Sequence, residues 1–169
     1  MVVIRPTRKL RTALPVTRTP GISDTALGDW YVNRLVVHRQ PLLLLVSSTS
    51  LLPMLARARD VRDLPIHVEE MVARRLARLG VAPSLIDAER RAMTPVRIGA
   101  TVDRSVLGIM VDFAKGAPYY LGAASGSSTA LAAAEDRLAE TPCYAGKPWN
   151  QVVFPEQKAP ELLAAKWAG

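Results

Sequence analysis

Hydrophobic and polar positions change their period several times along this chain, and each change marks an element. "VVI" at 2–4 is a β-branched run that predicts a short strand, with a helix or turn near 7–13 after it. "PVTRTPGISDT" carries two prolines, a glycine and short polar residues, which predicts a loop that stays mobile unless a partner orders it. In "DWYVNRLVVHRQPLLLLVSS", β-branched and aromatic residues lead to a break at Gln40 and Pro41 and then to a continuous apolar run, typical of a strand covered on both faces. The prediction is a hairpin of 30–38 with 42–47, although Leu27, Trp30, Tyr31 and Arg34 also fit a helical turn.

"SSTSLLPMLAR" places hydroxyl residues before an apolar stretch with an early proline, which predicts a helix over 51–58 capped by 47–50. The strongest pattern is "DLPIHVEEMVARRLARLG": Val68, Met71, Val72, Leu76 and Leu79 recur at helical spacing, glutamates stand early and arginines late, and Gly80 supplies the stop. It predicts a helix over 64–79. A second helix follows at 83–93, and the alternation in "PVRIGAT" predicts a strand over 95–101. "DRSVLGIMVDF" then combines an N-cap, Asp103, with apolar residues around most of its circumference. This predicts a buried central helix over 103–115, in which Arg104 pairs with a carboxylate or backbone carbonyls and Gly108 permits a close backbone crossing.

These elements describe an α+β fold: a small mixed β-sheet packed by several helices. The core domain is expected over 1–122. "AASGSS" at 123–128 reads as a flexible connector, and 129–169 as a C-terminal helical and extended appendage, with an Ala-rich helix at about 129–139 and a short terminal helix.

Composition narrows the function. The net charge is +7, and residues 1–60 hold nine Lys/Arg against Asp24, Asp29 and Asp60, whereas 61–169 hold 13 against 12. A cationic N-terminal half attracts nucleic acid or an acidic protein through a salt-screened field; an Arg-rich composition alone also produces it. "PLLLLV" is far shorter than the ~20 residues of a membrane helix, and no apolar leader opens the chain, so the expected location is the cytoplasm, with no membrane partner. Cys143 is the single cysteine and the two histidines lack metal-ligand spacing, so neither a metal nor a cofactor is expected.

The best binding candidate is "RPTRKLR", with Arg5, Arg8, Lys9 and Arg11. Trp30 and Tyr31 beside Asp29 could stack a ring, or simply anchor the core. Arg104 stands where a charge can reach a partner. "SSTS" lacks the glycines and lysine of a phosphate loop, His67 reads as a solvated-face residue, His38 as a structural one and Cys143 as an inert thiol. Catalytic residues are not identifiable.

"IRPTRKL", "LGDWYVNRL", "RQPLLLLVS", "SLLPML", "RSVLGIM" and "RLAETPC" together resemble the bacterial family termed domain of unknown function 6933, over about residues 3–143. The resemblance implies no activity or cofactor. It does show Ile109 and Val111 where relatives tend to carry polar residues, which implies a more buried or an oligomeric surface. Three function classes stay open: a non-enzymatic binding or regulatory protein for an acidic partner, a hydrolase or nuclease using Arg104, Asp112, Asp29 and His38, and a structural subunit of a homo-oligomer or paired-gene complex.

Overall fold

A computed structural model describes residues 1–122, 126–144 and 151–169. Its centre is a mixed five-stranded sheet in the order β4-β3-β2-β1-β5, formed by β1 (Val2–Pro6), β2 (Trp30–Val37), β3 (Gln40–Ser47), β4 (Pro53–Arg57) and β5 (Val96–Ile98). β1 pairs in parallel with β2 and with β5, while β2-β3 and β3-β4 are antiparallel. It follows that β1, β2, β4 and β5 all run the same way. The α+β architecture is as the pattern predicts.

Helices α1 (Leu64–Arg78), α2 (Pro83–Ala92), α3 (Arg104–Tyr120), α4 (Ser128–Ala139) and α5 (Pro155–Trp167) cover both faces. The uninterrupted apolar run of β3 is explained by this: Leu43 and Leu45 face a core shared with α1, α2 and α5, whereas Leu42, Leu44 and Val46 face one shared with α3 and α4. Each side chain of the run is buried because each side of the sheet is covered. The segment expected as an appendage contributes to both cores, through Leu131, Ala134 and Leu138 of α4 and Ala159 and Leu163 of α5. Cys143–Tyr144 (β6) pairs with Val152–Val153 (β7). The expected connector lies outside the described residues at 123–125; Gly126 forms a turn and Ser127 caps α4 through Ala130 N–H.

Three local expectations are corrected. The segment predicted as a helix over 51–58 is strand β4. Its hydroxyl residues fasten a tight turn instead of capping a helix: Ser47 Oγ donates to Leu27 O at 2.6 Å, Thr49 Oγ1 to Ala26 O at 3.0 Å, and Ser48 Oγ accepts from Asp29 N at 2.9 Å. Pro53 is tolerated because it opens an edge strand, where its missing N–H breaks no ladder bond. Gly28 is required opposite this turn, since φ is +66° and a Cβ would lie 2.5 Å from Ser48 Oγ.

The second correction concerns Gly108, which is exposed with nothing within 4 Å of a built Cβ, so no backbone crosses there. The third is Arg104. It is exposed and has no ion pair or side-chain hydrogen bond among the described residues, because hydration already satisfies it. The rest of the α3 reading stands: Asp103 caps Ser105 N at 2.8 Å, Val106 and Met110 are buried, and Leu107 packs partly buried against the same core. Of the two positions where relatives tend to be polar, Ile109 is buried and Val111 exposed.

Candidate functional site

Strand direction gathers the charges of this protein. Because β1, β2 and β4 run the same way, the segments leaving them emerge at one end of the sheet, the end of the β2-β3 hairpin. The 3-10 turn Arg8–Leu10 follows β1 and packs on β2; the 3-10 turn Ala58–Asp63 follows β4 and packs on β3. Leu10 and, on the other side, Ala58 and Val61 belong to the same core, so the two turns flank the same face of the hairpin. Between them, Arg34 and Val36 stand exposed on the face that carries Trp30 and Val32 further down the strand.

The rim so formed contains Arg8, Lys9, Arg11, Arg34, Arg39, Arg57, Arg59 and Arg62, against Asp60 and Asp63. Among the described residues only Arg59 has a carboxylate within reach, Asp60 at 3.9 Å with both side chains exposed. Arg57 Nε donates to Gly126 O at 2.8 Å, and Arg11 Nε is buried without a partner. The hairpin tip is fixed by His38 and Arg39, both in the left-handed region at φ 49° and 67°, as a two-residue loop of primed type requires. His38 Nε2–H donates to Leu121 O at 2.9 Å, tying the tip to the end of α3, so this histidine is structural. His67 is exposed on α1.

Sequence-derived candidates divide clearly. Arg8, Lys9 and Arg11 lie on the rim. Arg5 does not: its Nε pairs with Asp29 Oδ2 and its Nη1 donates to Ala100 O at 2.6 Å, with side-chain exposures of 12% and 18% for the pair. Ser23 Oγ donates to the other Asp29 oxygen, and Val3 N to Ser23 Oγ at 2.9 Å, so the proline-rich loop is pinned to β1 by this clasp. Gly99 leaves the space, since a Cβ there would lie 2.9 Å from Arg5 Nη1. Trp30 and Tyr31 are each 1% exposed; they anchor the two cores and offer no face for stacking, and Tyr31 Oη accepts from Asp103 N. Arg104, at the start of α3, stands apart from the rim at the opposite end of that helix from His38.

The residues considered for hydrolysis are not brought together. Asp29 is occupied by Arg5 and Ser23, and Arg104 and Asp112 are separated by about 12 Å of helix rise. Among the described residues no group of three or more His, Cys, Asp or Glu is arranged to hold a metal. Cys143 is buried; burial and the nearby Asp112 push its thiol up to about 11, leaving little thiolate at neutral pH.

Sequence reading missed the second charged centre, at the β4 edge. Arg75, 1% exposed, donates from Nη1 to Asp136 at 2.8 Å and from Nε towards Pro53 O at 3.4 Å. Glu135 accepts from Leu55 N at 2.7 Å and from Arg78 Nη2 at 2.9 Å. Burial pushes the Glu135 carboxyl above the ordinary glutamate value despite these donors, and lowers Arg75. The outward Pro53 C=O and Leu55 N–H are thereby consumed, which blunts that stretch of edge strand against pairing with another chain. Arg75 and Glu135 are 60 residues apart, so no spacing announces them.

Among the described residues no helix is long and apolar enough to cross a membrane. No curated protein and no solved structure matches the chain. The description "Domain of unknown function (DUF6933)" matches residues 3–158 of 169, and the chain belongs to that family.

Proposed function

We propose that this is a non-enzymatic cytoplasmic binding protein that holds an acidic partner, nucleic acid or an acidic protein, on the hairpin-end rim. The observation that carries the reading is eight exposed or half-exposed cations converging on one end of the sheet with, among the described residues, a single, long carboxylate contact. Elsewhere Arg74, Arg75, Arg78, Arg90 and Arg137 each have a carboxylate within 4 Å, whereas Arg18, Arg91, Arg97 and Arg104 have none among the described residues; what distinguishes the rim is the number of such cations at one end of the sheet. An unneutralised cation row of this kind raises the local concentration of a polyanion and releases counterions when phosphates dock.

The charge of the rim favours a phosphate backbone or a carboxylate row, and the exposed ring of Tyr119, beside the Pro118 carbonyl that meets His38, flanks the hairpin tip where a base could stack whatever its identity. Binding is therefore tolerant of sequence. Titration of the protein with duplex DNA, RNA and poly-glutamate at several salt concentrations tests this. The expected result is micromolar-range affinity for at least one polyanion, weakening steeply with salt. No binding to any of the three at low salt overturns the reading.

A further inference from the structure

A second site lies along the β4 edge. Along and beyond the ion-paired stretch at Pro53–Leu55, α1 and α4 leave a cleft with two adjoining lobes of about 410 Å³ and 170 Å³, the smaller bordered by Arg78 and Glu135, the larger within the usual size range of small-molecule sites. Helical spacing builds its walls: His67, Met71, Arg74 and Arg78 line it from α1, and Ser128, Leu131 and Glu135 from α4, while Arg57, which donates to Gly126 O, and Asp60, 3.9 Å from Arg59, close the larger lobe towards the hairpin end. Its floor is apolar, formed by Leu43, Leu55 and Leu64.

The charges at its lip are unequal in availability. Glu135 is already occupied by Leu55 N–H and Arg78. Arg74 is not: its guanidinium is 73% exposed and among the described residues its one carboxylate contact is Glu70 at 3.5 Å, itself half exposed, a weak pair within one helix. An apolar trough with an available guanidinium at its mouth matches a molecule with an aliphatic body and one anionic head.

We propose that this cleft binds a small single-chain anionic amphiphile, its chain laid on Leu55, Leu131 and Met71 and its head at Arg74. The larger lobe borders the rim at Arg57 and Asp60, and the two readings are told apart by variants at residues they do not share, Arg74 for the cleft and Arg8 with Lys9 for the rim. The methionines report the outcome. Met71 and Met54 line the cleft, Met54 being itself a core residue at 1% exposure, while Met93 and Met110 are buried in the two cores and do not line it. With methionine methyl groups labelled by carbon-13, decanoate is titrated below its micelle concentration, alongside decyltrimethylammonium as the cationic control.

The Met71 and Met54 signals should move and saturate with decanoate, with Met93 and Met110 still, and the cationic control should bind about tenfold more weakly, the size of one charge-assisted contact. Arg74→Glu should erase that preference, whereas Arg8→Glu with Lys9→Glu should leave decanoate binding unchanged. Unmoved Met71 and Met54 signals, equal movement of Met93 and Met110, or equal affinity for the cationic amphiphile would overturn the proposal.

Discussion

The β4 edge and the hairpin end are built from the same residue type and treat it oppositely. At the edge, Arg75 is sealed from water and its charge is met by Asp136 and Glu135. At the hairpin end, Arg8, Lys9, Arg34 and Arg39 stand in water with no carboxylate in reach among the described residues. A buried guanidinium without a partner is costly, so pairing there is a condition of folding. An exposed one needs no partner, so a row of them left unmatched is not explained by stability. The difference separates charge that holds the fold from charge available to a partner.

The largest effect should come from breaking the paired centre. Glu135→Ala strips Leu55 N–H of its acceptor and leaves Arg75 and Arg78 with Asp136 as their only carboxylate among the described residues. Denaturant unfolding should show a loss of about 3–5 kcal/mol, the cost of removing one member of a buried pair. A loss below about 1 kcal/mol, the scale of a surface pair, would place this network with ordinary surface ion pairs.

The same carboxylate gives a pH signature. Its folded-state value is raised by burial, so the folded form holds the proton more tightly than the unfolded chain does. That contribution is complete below the ordinary glutamate value and is lost as pH rises through the raised one. The stability of the wild type minus that of Glu135→Gln should therefore fall as pH climbs through this window. A difference that grows with pH would reverse the assigned cause.

A smaller, stabilising change sharpens the comparison by supplying a background in which rim variants are easily measured. Gly108 lies in α3 with open space around its missing Cβ, so Gly108→Ala should raise stability by about 0.5–1 kcal/mol. Destabilisation would mean that the close crossing expected from the sequence exists after all.

Much of the fold is legible from periodicity, because a helix or strand whose core-facing side is apolar declares itself over ten residues. α1, α2, the β2-β3 hairpin and the cap of α3 are of this kind. β4 is not, since "SSTSLLP" carries both a helix start and a turn leading into an edge strand; the choice is made by Leu27 and Ala26, 20 and 23 residues from the hydroxyls their carbonyls receive. The rim is half legible. The charge excess of residues 1–60 shows in a count, but Arg34, Arg39 and Arg62 join Arg8 and Lys9 only because three strands end together. Arg5 reads as part of the cluster and is removed from it by Asp29, a partner no local pattern reveals.

The smallest effect on stability, and the most direct test of the account, comes from reversing the unpaired charge. Arg8→Glu, Lys9→Glu and Arg34→Glu together should change unfolding stability by no more than about 0.5 kcal/mol per site, as for surface substitutions that break no partner. The decisive quantity is the slope of log affinity for duplex DNA against log salt, measured for the wild type, for this triple variant and for Arg90→Glu, which reverses a cation already paired with Glu69. Loss of three phosphate contacts should flatten the slope by about 2–3 in the triple variant, with the paired-site variant close to wild type. An unchanged slope in the triple variant, or equal flattening in both, would contradict the claim that the unmatched rim is the binding surface.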